Sequence, residues 1–194
     1  MTYGMRCGLL FALCLLVQPA QAQEDVGLVN EIAGEVAFQG GKAKAFMKVR
    51  EGDRFDLPAG AQLRLVYFAS ARQESWQGPA SLRAGKRESA PLAGKPAAVS
   101  ILPASVPQRL ARIPELAQNA LFGGVRVRGS RPPAVETQDS LREARATYAR
   151  LRSTLPADDL TPELFLYAAL VSGPDPDSEE VKALAGRLRE RQER

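Results

Sequence analysis

The chain has 194 residues, with 26 lysines and arginines against 22 aspartates and glutamates, a formal net charge of +4 and no histidine. Without histidine, Ser-His-Asp and Cys-His catalysis and ordinary zinc sites are excluded, since each needs an imidazole or several thiolates. The mild basic excess is compatible with an anionic envelope partner, but it is far from the concentrated basic face of a nucleic-acid binder.

Residues 1–22 read as a secretory signal. Arg6 gives a positive start, Gly8 to Val17 is an unbroken apolar run, and Ala20 and Ala22 hold the small-residue positions before Gln23. That order is the one a signal peptidase recognises. The apolar run is too short for a bilayer, which takes about 20 residues. Both cysteines, Cys7 and Cys14, fall inside this leader, so the processed chain is expected to have no disulfide and to rely on its core. Leu13 precedes Cys14 and Arg6 precedes Cys7, which argues against a lipid anchor. The expected location is the periplasm or the exterior, with no transmembrane segment after cleavage.

Residues 23–104 are expected to form a β domain. Val26, Leu28 and Val29 lead into Ile32, and Val36 and Phe38 alternate with their neighbours. Gly40-Gly41 is expected to be a two-residue hairpin turn. Leu63, Leu65 and Tyr67 alternate with Arg64, Val66 and Phe68, giving a strand with one strongly apolar face and one mixed face. Turn signals at Gly52-Asp53, Pro58-Ala59-Gly60 and Gly78-Pro79 separate short runs, the pattern of a small sandwich or roll of antiparallel strands. A further strand-like run covers Ala97 to Leu102 in an extended segment laid against the sheet.

Residues 105–136 read as an extension. It holds a short helix from Val106 to Asn119, disturbed by Pro114, then a strand at Val125 and Val127 and a linker around Pro132-Pro133. Residues 137–194 switch to helical periodicity and are expected to form a short C-terminal segment of about three helices. Asp139 or Ser140 is expected to cap the first, Thr161 with Pro162 to start the second, and Ser178 to start the third. Together they are thin for an independent core and suited to docking on the sheet.

The β region resembles the periplasmic FecR-type domain. The residues that carry the likeness are Val29-Asn-Glu-Ile-Ala-Gly-Glu-Val36, Val49-Arg-Glu-Gly-Asp-Arg-Phe55, Pro58-Ala-Gly-Ala-Gln-Leu-Arg-Leu65 and Gly78-Pro-Ala-Ser-Leu82. The match spans under a third of the chain. It implies a β fold and a binding or scaffolding role in the envelope. The sigma-factor-contacting segment and membrane helix of the regulators that name the family have no counterpart here, so sigma-factor control is not implied. Ala69-Ser70-Ala71 also stands where the family usually places an Asp-Gly pair.

Little in the sequence suggests chemistry. The acid–base candidates are Glu31 and Glu35, Asp53 and Asp56, and Asp158 and Asp159, and none has a context that suggests burial. Asp53 is expected to bond amides within its own turn. Asp175, Asp177 and Glu179 open like a calcium loop, but Glu180 and Gly186 stand where that loop needs Gly and Glu. Arg126, Arg128, Arg131, Arg142 and Arg145, with Arg152 beside them, are the candidate contacts for an anion or acidic partner. Trp76 is expected to pack in the core or against its hairpin, with a stacking platform for a ligand as the alternative. No catalytic residue, metal or cofactor is expected. The expected partner is an envelope protein, with cell-wall polymer or anionic lipid as the alternative to it.

Overall fold

The computed structural model describes residues 24–116 and 137–192. Sheet A runs in the order β10 (Ala98–Ile101), β7 (Arg72–Gln77), β6 (Gln62–Tyr67), β1 (Asp25–Ala33) and β4 (Lys48–Arg50). Sheet B runs in the order β3 (Gly41–Lys42), β2 (Ala37–Phe38), β5 (Arg54–Leu57), β8 (Ala80–Ala84) and β9 (Ser89–Ala93). Every pairing is antiparallel. The helices follow: α1 (Ser105–Leu110), α2 (Ile113–Leu116), α3 (Gln138–Thr154), α4 (Thr161–Val171) and α5 (Glu179–Gln192). The expected β domain followed by helices is therefore what the chain forms.

Alternation along β6 explains the layering. Leu63, Leu65 and Tyr67 point toward sheet B and pack with Val29, Phe55, Trp76 and Leu82 in the inter-sheet core. Val66 points the other way and, with Leu28 of β1, joins a second core built from Val106, Leu110, Leu164, Phe165 and Leu184. Sheet A is thus covered on both faces. The helix α4 is the centre of the outer layer: residues Leu164 through Leu170 are all buried, and the helix touches α1, α2, α3 and α5. Its second residue is Pro162, placed where the first turn has no intrahelical acceptor for an N–H.

Several turns differ from expectation. The first hairpin turns at Gln39-Gly40, because Phe38 pairs with Gly41; both central residues have positive φ, 45° and 81°. That left-handed pair matches the twist of the strands it joins. Gln39 tolerates it while its amide donates to Asp53 at 2.5 Å. Asp53 also accepts from the Arg50 backbone N–H at 2.8 Å, so it serves its own turn as expected, but it is buried. The N-cap of α3 is Thr137, whose hydroxyl accepts from the Ser140 amide at 3.2 Å. Gly78 has no room for a side chain, since a Cβ there would lie 1.7 Å from the Pro58 carbonyl oxygen.

The sheet and helix layers are joined by polar groups. A bulge in β1 between Val29 and Glu31 turns the extra residue, Asn30, toward the helices. Its amide donates to the Thr161 hydroxyl at 2.5 Å. That hydroxyl lies 2.6 Å from a carboxylate oxygen of Asp159 and 2.9 Å from the Gln73 carbonyl oxygen, so its single proton has two acceptors. Asp159 further accepts from the Thr161 backbone N–H at 2.8 Å and from the Gln73 amide. Thr161 is therefore spent on the interlayer contact, and Leu160 is the N-cap residue of α4. Asp159 is buried too, against expectation.

Removing the Thr161 hydroxyl strands buried donors and acceptors on two layers. Thr161→Val should lower unfolding stability by about 1–3 kcal/mol. Ser153→Ala, on exposed α3 surface, should stay within about 0.5 kcal/mol of the parent in the same urea titration. Equal curves for all three chains would mean that this node does not hold the layers together.

Candidate interaction surface

A sandwich of open sheets has edges, and each edge presents backbone N–H and C=O groups that can recruit another strand. Three of the four edges here are guarded. On β4, Lys48 and Arg50 carry charge and both reach Asp25, at 2.7 and 3.6 Å. On β3 the strand is only two residues long and ends in Lys42, paired with Glu35. On β9, Pro91 sits mid-strand and removes one donor.

The fourth edge, β10, has none of these devices. Its sequence is Ala98-Val99-Ser100-Ile101. Register with β7 pairs Val99 with Glu74 and Ile101 with Arg72, and the Leu102 amide donates to Ala71 at 2.8 Å. Antiparallel alternation then directs Ala98 and Ser100 to β7 and leaves the N–H and C=O of Val99 and Ile101 pointing outward. Their side chains are exposed as well: Val99 at 43% and Ile101 at 68% of full accessibility. The only other large hydrophobic residue exposed to this degree among the described residues is Leu92 of β9, at 47%. Among the described residues, β10 is thus the one strand edge that is uncharged, apolar and without a pairing strand. The sequence shows β10 as a strand, but not as an edge, because sheet order is a non-local property.

The residues singled out from sequence fare differently. Arg126, Arg128 and Arg131 lie outside the described residues. Arg142 and Arg145 are exposed on α3, yet each has a carboxylate: Arg142 pairs with Asp139 at 3.1 Å, and Arg145 with Glu180 of α5. Arg152 is a clamp between helices, bonding Glu163 at 2.9 Å and the carbonyls of Asp159 and Pro156. Trp76 takes the core role and not the stacking one: it is 1% exposed between the sheets and its indole N–H donates to Glu74 at 3.0 Å, so no ring face is offered to a ligand.

The carboxylates are engaged where they stand. Glu74, buried beside Trp76, accepts from the Arg72 guanidinium at 2.6 Å and the Ser89 amide at 3.2 Å. Glu31 and Asp158 both meet Arg64, which also donates to Ser75 at 3.1 Å. Asp56 is held below the usual carboxylate range by hydrogen bonds from Arg54 and then Ser81. Burial pushes the Tyr67 phenol well above its ordinary range, although its hydroxyl lies 2.7 Å from that of Ser89. No group of three or more metal-ligating side chains converges among the described residues. A groove of about 790 Å³ opens beside sheet B, lined by Ala37, Leu57, Pro58, Pro79, Ala80 and Ala93, with the Glu35–Lys42 pair and Asp56 at its margin. No helix among the described residues is long and apolar enough to cross a membrane.

Comparison with protein-family models, with curated proteins and with solved structures gives no match.

The Glu35–Lys42 pair that guards the β3 edge has a direct signature. The Lys42 ammonium, bonded to the carboxylate, holds Glu35 below its ordinary 4.5. A depressed folded value means the pair's contribution is present above the unfolded pKa and fades as pH falls through the folded one. NMR titration should place Glu35 below 4.5, and Lys42→Ala should return it toward 4.5. An unchanged titration in the variant would mean the two side chains do not meet in solution.

Proposed function

We propose that this chain is an exported, non-enzymatic interaction module of FecR-like type, working by adding a partner strand to β10. The observation that carries the reading is the contrast among the edges of the described residues: charge, shortness or proline protects three of them, and β10 is left bare. Main-chain hydrogen bonds to an edge give affinity without any catalytic side chain, and alternate side chains add specificity. Val99 and Ile101 would supply that alternate apolar row.

Other features support parts of the reading. The segments that resemble the FecR-type domain fall at strand–turn steps: the exit of β1, the β4–β5 turn, the entry to β6 and the entry to β8. Export rests on the leader-like order of residues 1–22. The absence of enzymatic work is inferred from carboxylates that are paired with cations at the sites where acid–base chemistry was conceivable, Glu31, Glu35, Asp56 and Asp158. The competing reading, wall-polymer or polysaccharide binding through arginines and Trp76, is weakened by the burial of Trp76 and the pairing of Arg142 and Arg145.

The test uses substitutions that spare the inner side of β10. Ile101→Pro removes an outward N–H, which an edge strand tolerates, and Ile101→Lys installs the guard the other edges carry. A protein bound stoichiometrically by the parent chain, whether an envelope protein from a membrane-plus-periplasm fraction or an untagged copy of the chain itself, should be lost with both variants at unchanged melting temperature. Retention by purified sacculi, equal in parent and variants, would replace this reading with wall binding.

A further inference from the structure

We infer that the strand added to β10 belongs to a second copy of this chain, forming a two-fold dimer with one continuous sheet; this rests on the edge-pairing reading above. Register decides which pairing is possible. In an antiparallel two-fold pairing, the outward groups of one copy must meet outward groups of the other. The available groups are the N–H and C=O of Val99 and Ile101. Ala97 is not available as a donor, since its N–H is turned inward to the Ser75 carbonyl at 2.7 Å.

Three registers can be considered. Centring the axis on Val99 would oppose Ile101 to Ala97, whose N–H is already used. Centring it on Ile101 would oppose Val99 to Pro103, which has no N–H. Centring it on Ser100 opposes Val99 to Ile101 in both directions and uses every outward group of the strand. In that register each Val99 also faces an Ile101 side chain across the junction, an apolar β-branched pair of the kind that stabilises neighbouring strands. Charge does not oppose it. The strand itself is uncharged, and Lys95 would lie across from Ser105. Pairing of this length buries little area, so the dimer belongs to the weak, concentration-dependent class.

The Ser100-centred register makes a positional prediction. In a non-hydrogen-bonded antiparallel pair the Cα atoms sit about 4.5 Å apart, within the span of a disulfide. Ser100→Cys, made in a full chain carrying Cys7→Ser and Cys14→Ser, should form an interchain disulfide under mild oxidation. Ala98→Cys should not, because Ala98 would face Leu102 of the other copy and lie four residues from its own counterpart. Adding Ile101→Pro should weaken self-association, read by sedimentation, at least about tenfold, the loss expected for two hydrogen bonds per dimer. Equal crosslinking at both cysteine positions, or crosslinking at Ser100→Cys that ignores Ile101→Pro, would overturn the inference. A parent chain that stays monomeric at high concentration and never crosslinks at Ser100→Cys would also overturn it. In that last case loss of an envelope partner on Ile101→Pro would show that the edge still works, with a different strand as its occupant.

Discussion

The described structure is arranged around the central strands of sheet A, β1, β6 and β7, which are buried on both faces. A sheet with one wet face can leave its polar side chains in water, but helices cover much of the face of sheet A that carries Asn30, Arg64, Gln73 and Ser75, burying Asn30 and Gln73 and leaving Arg64 and Ser75 partly exposed. The buried groups need partners from the helical layer or from a neighbour on the sheet, and the half-buried ones find theirs in the same place. The solution is concentrated at the start of α4. Thr161 and Asp159 take Asn30 and Gln73, while Arg64 reaches Ser75, Glu31 and Asp158 and its guanidinium lies 3.7 Å from Asp159. An apolar interface would tolerate small slides of the helices across the sheet. A cluster of directional bonds fixes one position, because displacement leaves several buried groups unpaired together.

That constraint propagates to the edge. β10 pairs with β7, and β7 is held from both sides: Gln73 is bonded to the α4 node and Glu74 is bonded to Arg72, Trp76 and Ser89 between the sheets. The strand next to the exposed edge is thus tethered on both of its faces. A rigid neighbour keeps the outward groups of β10 in line, which reduces the ordering cost of adding another strand. Buried unpaired polar atoms work against this order, and among the described residues the Asn30 side-chain oxygen, the Tyr167 hydroxyl and the Ser172 hydroxyl lack partners. All of these belong to the helix-facing side, and none of them to the inter-sheet side that tethers Glu74.

The sandwich itself was legible in the sequence because inward positions such as Leu63, Leu65 and Tyr67 alternate cleanly and Gly or Pro marks the turns. The mixed face of β6 was visible too, but not its meaning. Arg64 and Val66 look like a solvated face until helices distant in sequence are laid over them, and Asn30 meets Thr161 across 131 positions. Residue type could not foretell that contact, since a strand Asn or Gln is as suited to water as to a buried node. For the same reason Thr161 reads as a helix cap, while its hydroxyl serves the sheet. The hairpin shifted by one residue, to Gln39-Gly40, because strand register and not glycine content sets which pair turns.

Edge status lies furthest from the sequence. Nothing in Ala98-Val99-Ser100-Ile101 distinguishes a central strand from a terminal one; an apolar run with a single serine suits either. What distinguishes it is the order β10-β7-β6-β1-β4, which places a run of interior character on the outside. Charge at β4, brevity at β3 and Pro91 at β9 show that this chain has the usual means of blunting an edge and applies them elsewhere. A bare edge in a protein that guards its others is a selected exposure or an aggregation liability, and the two differ in geometry. A liability pairs in any register that hides apolar side chains. Here Pro103 and the inward-turned amide of Ala97 bracket the open groups, so that a second copy finds all its hydrogen bonds in one alignment only.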